Sequence, residues 1–330
     1  MSSPYPEAGP ARDRWILERR PRRNPLDLRR AYAALVEDEA VEEVAEEAAE
    51  TGGRTRAVAV ATIFLTNREC PWKCLMCDLW KNTLEDSGPP GAIAEQIREA
   101  LRVLPPTRRI KLYNAGSFFD GRAVPPEEHA AIAGLVAPFE RVIVESHPAL
   151  VGPAVWAFRD RIPGTLEVAM GLETVHPDVL PRLNKRMSVD QFRRAADLLA
   201  DEAVALRVFV LAGLPWVPAA EARAWTLRSV QCAFDSGASS VSIIPTRAGN
   251  GAMDELARTG AFEVPRLRLL EDCFEDAVSL GRGLVFADLW DLDAFSRCGD
   301  CFNARRERLA SMNLSQSVAP PVGCPHCGGA

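Results

Sequence analysis

From residue 57 onward, short apolar runs rich in β-branched residues alternate with longer segments that are apolar on one face only. The runs at 57–65, 109–115, 141–146, 166–172, 205–212 and 239–245 have the length and composition of buried strands. Between them, 92–104, 126–138, 151–160, 188–203 and 218–236 carry apolar residues at the three-to-four spacing of an amphipathic helix, and 264–281 repeats that spacing after the sixth run. Strict alternation of strand and helix predicts parallel strands joined by right-handed crossovers. Six such units predict an α/β fold, a partial (β/α)6 TIM-like barrel. In such folds the reactive groups gather at the C-terminal ends of the strands. One more apolar strand candidate, 284–289, precedes Trp290.

The pattern differs at both ends. Residues 1–56 read as a charged helical leader. Arg12, Arg14, Arg19, Arg20, Arg22, Arg23, Arg29 and Arg30 crowd it, and Glu42, Glu43, Glu46, Glu47 and Glu50 then alternate with Val41, Val44, Ala45 and Ala48 at helical spacing. The acidic face is expected to be solvated and the arginines to pair with it; contact with RNA or another polyanion is the alternative. Residues 290–330 read as a small cysteine-rich extension, which leaves 57–289 for the barrel. The net charge of −6 over 330 residues argues against a generally basic nucleic-acid binder. The polar start predicts no signal peptide, and no apolar run is long enough to span a bilayer, so a cytoplasmic protein without membrane contact is expected. Nine cysteines then indicate metal binding rather than disulfides. Cys232 and Cys273 fall in predicted helices as buried thiols; the other seven are clustered.

The first cluster is Cys70-Pro-Trp-Lys-Cys74-Leu-Met-Cys77, C-x3-C-x2-C directly after the first predicted strand. Three thiolates on one loop suit an iron–sulfur cluster or, alternatively, a short zinc knuckle. On a 4Fe–4S cube, three protein ligands leave the fourth iron open to an exogenous ligand. The predicted strand ends are also polar or glycine-bearing: 113–117 (Tyr-Asn-Ala-Gly-Ser), 145–148 (Glu-Ser-His-Pro), 170–174 (Met-Gly-Leu-Glu-Thr), 211–215 (Leu-Ala-Gly-Leu-Pro) and 245–251. Ordinary βα turns favour such residues too, but glycine also permits close backbone approach to a ligand, and these stations all share the cysteine loop's end of the barrel.

The loop resembles the signature of the radical S-adenosylmethionine (radical SAM) superfamily. Residues 57 to about 250 resemble the group of the Elongator catalytic subunit and the archaeosine-forming radical enzymes. Cys74-Leu-Met-Cys77, Gly171-Leu-Glu-Thr with Leu180-Pro-Arg-Leu-Asn184-Lys185, and Val241-Ser-Ile-Ile-Pro245-Thr carry that resemblance. It implies a 4Fe–4S cluster on Cys70, Cys74 and Cys77, with SAM on its open iron. It further implies SAM contacts from Asn114, Gly116 and Ser117 after the second predicted strand, and from Glu145 and Glu173 near the ribose and methionine portions. Lys185 would pair with the SAM carboxylate, and Ala212 and Gly213 would lie beside the adenine. The implied reaction is reductive cleavage of SAM to a 5′-deoxyadenosyl radical that abstracts hydrogen from a substrate, with an electron donor of flavodoxin or ferredoxin type. The usual Gly-Gly-Glu after the second predicted strand is absent, and Met76 stands where an aromatic residue usually precedes the last cysteine.

Cys298, Cys301, Cys324 and Cys327 form C-x2-C-x22-C-x2-C. Two such knuckles predict a four-thiolate zinc site of zinc-ribbon type, with a second 4Fe–4S cluster as the rival. The run Arg305-Arg306-Glu-Arg308 between them reads as helical and solvated. The substrate expected is a small metabolite. The alternatives are a tRNA nucleobase, with tRNA as partner, and a non-catalytic metal-binding adaptor built on the same domain.

Overall fold

The computed structural model describes residues 5–42 and 55–327. It contains one eight-stranded sheet in sequence order: β1 Ala33–Glu42, β2 Thr55–Phe64, β3 Arg109–Tyr113, β4 Arg141–Glu145, β5 Thr165–Glu173, β6 Ala205–Ala212, β7 Ser240–Pro245 and β8 Leu284–Ala287. Strands β2 to β8 run parallel to one another. Between them lie α2 Ala92–Val103, α3 His129–Val136, α4 Pro153–Arg159, α5 Val189–Asp201, α6 Ala219–Asp235, α7 Ala252–Arg258 and α8 Leu267–Ser279; α1 Pro10–Leu17 precedes the sheet and α9 Gly299–Ser315 follows it. The predicted strands and helices from 57 to 281 appear in the predicted order. Among the described residues no helix is long and apolar enough to cross a membrane.

The strand alternation explains the layering. Ile63, Leu112, Val144, Val168, Val208, Val241 and Val285 are fully buried and face the helices in one continuous core. The intervening positions face the barrel interior. Near its lower end these are charged: Arg207 donates to Glu39 at 2.6 Å and Glu167 at 2.7 Å, Lys111 pairs with Glu39, and Arg141 donates to Glu167 at 2.9 Å.

Two sequence expectations are corrected here. Residues 33–42 form a strand, antiparallel to β2 with Ala33 opposite Phe64 and Glu42 opposite Thr55, so Val41 and Glu42 do not open a helix. The inward side chain of Glu39 is buried, and its pairing with Arg207 and Lys111 offsets the cost of burying it. The rest of the expected acidic helix, 43–50, lies outside the described residues. The run at 305–308 is solvated only in part: Arg306 and Glu307 are exposed, but Arg305 and Arg308 are 2% and 7% exposed, and Arg305 grips Glu271 on α8 through two bonds of 3.0 and 2.6 Å.

Helix α9 packs across β1, β2 and β8 and rolls the sheet into a nearly closed barrel. Its Leu309 and Met312 enter the main core. Two of its amides supply the hydrogen bonds that a ninth strand would make with β8: Asn313 bonds to Ala287 N and O (2.8 and 2.9 Å), and Gln316 to Val285 N and O (2.8 and 2.7 Å). An otherwise open sheet edge is thereby closed.

Candidate cluster and cofactor site

The cysteine loop leaves β2 at the C-terminal end of the sheet and is held from three sides. Leu75, fully buried, packs with Trp15 and Ile16 of α1 and with Ala252, Met253 and Leu256 of α7, in a cluster separate from the main core. From the β5 side, Leu75 N donates to Leu183 O (2.9 Å), and Asn184 Nδ2 donates to Lys73 O (2.7 Å) and to Asp13 Oδ1 (2.8 Å). From the β7 side, Asn250 Nδ2 donates to Leu75 O (2.8 Å) and Cys77 O (3.1 Å).

The leader arginines serve this loop. Arg20 and Arg23 bond Glu69 at 2.8 and 2.6 Å, beside Lys73 on the same carboxylate. Burial would raise the Glu69 pKa; the three cations outweigh it and hold it at about 2. Arg12 donates to Pro181 O (2.7 Å), and Arg19 to Trp15 O (2.9 Å). The acidic residues from 43 to 50 that were expected to pair with the leader arginines lie outside the described residues.

Burial pushes the Cys74 thiol up to about 12 and raises Cys77 and Cys70 as well; Cys74 is raised further by Cys70, and Cys77 by both Cys74 and Cys70. The bare thiols therefore resist ionisation, and cations bound at the sulfurs would be what stabilises the thiolates.

The remaining predicted stations converge on the same mouth. Asn114 is fully buried, and neither its Oδ1 nor its Nδ2 has a partner among the described residues. Its backbone N–H donates to Glu145 Oε2 (2.9 Å), and burial pushes the Glu145 carboxyl up to about 7. A side chain at Gly116 would come within 2.9 Å of Cys70 Cβ, so only glycine lets this turn pass under the loop. Ser117 Oγ accepts from His147 N (2.8 Å), and the His147 ring stacks on Trp72 of the cysteine loop with centroids 3.8 Å apart.

After β5, Lys185 Nζ donates to Glu173 Oε1 (2.6 Å). Burial would lower the Lys185 pKa, but Glu173 outweighs it and the pKa is raised. Glu173 sits at a left-handed φ of 65°, where β5 shifts register, and the ion pair occupies the space over Gly171. Ala212 O accepts from Thr246 N and Oγ1, both at 2.9 Å. Gly213 (φ 73°) lies against Pro265, where a Cβ would come within 2.6 Å. The orphaned Asn114 amide, the three half-buried thiols and the ion pair fit a cluster bearing a small zwitterionic cofactor.

Of the two asparagines that hold the loop, Asn184 was legible only as part of the resemblance and Asn250 only as a strand-end residue; neither pattern gives the contact. The Trp72 stack and the Asp13, Arg20 and Arg23 contacts join residues far apart in the chain, and no local pattern announces them.

At the far end of the chain, the sulfurs of Cys298, Cys301, Cys324 and Cys327 lie within 4.8 Å of one another, a group that could hold a metal ion. Cys298 and Cys324 are 3.9 Å apart, and Cys301 and Cys327 3.6 Å. His326 stays outside this group, with Nε2 3.7 Å from Asp300.

No protein-family model matches the chain. It is 23% identical over 284 residues to an uncharacterized protein of Methanocaldococcus jannaschii, covering 78% of this chain and 76% of that one. It is 27% identical over 147 residues to archaeosine synthase subunit beta of Thermococcus kodakarensis, covering 42% of this chain and 45% of that protein. Among solved structures, Elp3 of Methanocaldococcus infernus superposes with a TM-score of 0.53 at 15% identity, over 77% of this chain and 63% of that one. Coproporphyrinogen III oxidase of Escherichia coli, a radical SAM enzyme, aligns at a TM-score of 0.45 and 14% identity, over 67% of this chain and 52% of that one. The chain shares the α/β-barrel fold of that Elp3 structure.

Proposed function

We propose that this chain is a radical SAM enzyme acting on a small-molecule substrate. The observation that carries the reading is the loop of Cys70, Cys74 and Cys77, held at the barrel mouth opposite the unpartnered Asn114 amide. When bound, a 4Fe–4S cluster and SAM supply one-electron cleavage of the sulfonium and abstraction of a hydrogen atom from the substrate. The chain's own residues position and shield. Cys70, Cys74 and Cys77 would hold three irons. Asn114 offers a donor and an acceptor to the amino acid portion of SAM, and the Lys185–Glu173 pair offers charge to the same end. Leu75, Trp15 and Ile16 keep water from the loop. An acidic flavodoxin or ferredoxin is the expected electron donor. Arg12, Arg19, Arg20 and Arg23 are engaged within the chain, while Arg14, Arg22, Arg29 and Arg30 are exposed, so tRNA stays the second reading.

The C-terminal four-cysteine site is proposed to hold one zinc ion. Zinc–sulfur bonds of about 2.3 Å in a tetrahedron place the sulfurs about 3.8 Å apart, and the closest pairs here stand at 3.6 and 3.9 Å. The role is structural, because four thiolates leave no open position. Metal analysis after anaerobic reconstitution tests both sites. The wild type should carry about four irons, as one 4Fe–4S cluster, and one zinc per chain. The C70A/C74A/C77A variant should keep the zinc and lose the iron. Iron retained in that variant would contradict the assignment.

A further inference from the structure

Between the charged floor and the mouth, the barrel interior is crossed by aromatic rings. Phe64 ends β2, Tyr113 ends β3, Phe209 lies on β6, and Trp290 follows β8. Their centroids are linked in series: Trp290 to Phe64 at 5.1 Å, Phe64 to Tyr113 at 6.0 Å and Tyr113 to Phe209 at 6.2 Å, all edge to face. Strands β3 and β6 lie across the barrel from each other, so the Tyr113–Phe209 contact spans the interior. Phe64, Tyr113 and Phe209 are only half-buried, whereas their outward-facing neighbours Ile63, Leu112, Val208 and Val210 are 0% exposed. These inward-facing rings are therefore in part accessible to solvent. Phe209 stands in register with Gly171, directly under the Glu173–Lys185 pair.

The Tyr113 hydroxyl makes no hydrogen bond among the described residues, and burial keeps it protonated. Thr62 Oγ1, buried and also unbonded, stands level with Lys111, below the rings. Below the layer, Glu39 and Glu167 are matched by Arg207, Lys111 and Arg141, so the floor offers no free charge to a ligand.

We propose that this layer is the platform on which the substrate lies, and that it takes a planar heteroaromatic ring with hydrogen-bonding atoms in the ring plane. Flat rings gain most from an aromatic surface, and in-plane donors and acceptors can reach the Tyr113 hydroxyl. That the ring is the substrate rests on the radical SAM reading; that a ring binds there does not.

The test uses the full-length reconstituted protein with SAM present, and calorimetry with four probes: indole, 7-azaindole, decahydro-2-naphthol and tetramethylammonium. Indole and 7-azaindole should bind, and the saturated alcohol and the ammonium ion should bind at least about tenfold more weakly. Tyr113→Leu and Phe209→Leu should each weaken both rings about tenfold. The milder Tyr113→Phe, which preserves packing, should weaken 7-azaindole more than indole. Equal binding of the saturated alcohol, no ring binding, or unchanged ring affinity in all three variants would overturn the platform. Formation of 5′-deoxyadenosine is followed in the same preparations. Its presence without ring binding contradicts the platform alone, and ring binding without it contradicts the radical SAM reading alone.

Discussion

At His147, two hydrogen bonds select one protonation state. Ala149 N donates to Nδ1 at 3.1 Å, so the ring proton sits on Nε2, which meets Lys185 O at 3.0 Å. Burial and the nearby Lys185 ammonium push the imidazole down to about 4. The sign follows from linkage. An unfolded chain takes up this proton near pH 6.5, the folded protein only near pH 4, so the contribution is complete above about pH 6.5 and is lost as pH falls toward 4. Urea unfolding should show the wild type losing about 2 kcal/mol from this residue between pH 7.5 and 4.5. His147→Phe, which can keep the ring stack on Trp72, should have a flatter profile; equal slopes would place the histidine in a wetter setting than its contacts imply. His147 was legible as a polar strand-end residue. Its partner was not, because Trp72 lies inside a loop whose cysteines dominate its reading.

Among the elements, β1 is the one the hydrophobic pattern conceals. Glu37, Asp38, Glu39 and Glu42 break the apolar run that marks β2 to β8. The compensation for Glu39 comes from Arg207, 168 residues away, and no local signal carries it. The same reason hides the burial of Arg305, whose partner Glu271 sits on another helix. The parallel strands were readable because their outward faces are apolar and helix-covered, and helix α5 because Ser188 and Gln191 form a capping box at its start. Replacing Arg207 with Met leaves Glu39 and Glu167 buried with less compensation. It should cost about 3–5 kcal/mol in denaturant unfolding, with amide exchange rising first in β1. A loss under about 1 kcal/mol would mean that the floor network adds little to closing the barrel.

At the scale of the whole molecule, both ends of the chain fold back on the barrel. The leader braces the cysteine loop through Trp15, Arg20 and Arg23, and α9 seals the gap beside β8 before the chain reaches its last cysteines. The cysteine loop was legible because three thiols at tight spacing after a strand have few other uses. The way it is held was not, since it draws on segments from residue 13 to residue 256. The central claim is that this loop and the strand ends around it form a working SAM-cleaving site. The measurement that bears on it most directly is 5′-deoxyadenosine formed from SAM by anaerobically reconstituted, dithionite-reduced protein. The wild type should form it, and the C70A/C74A/C77A variant, folded and still carrying its C-terminal metal, should form none. Equal formation by both proteins, or none by a wild type that carries its cluster, would contradict the account.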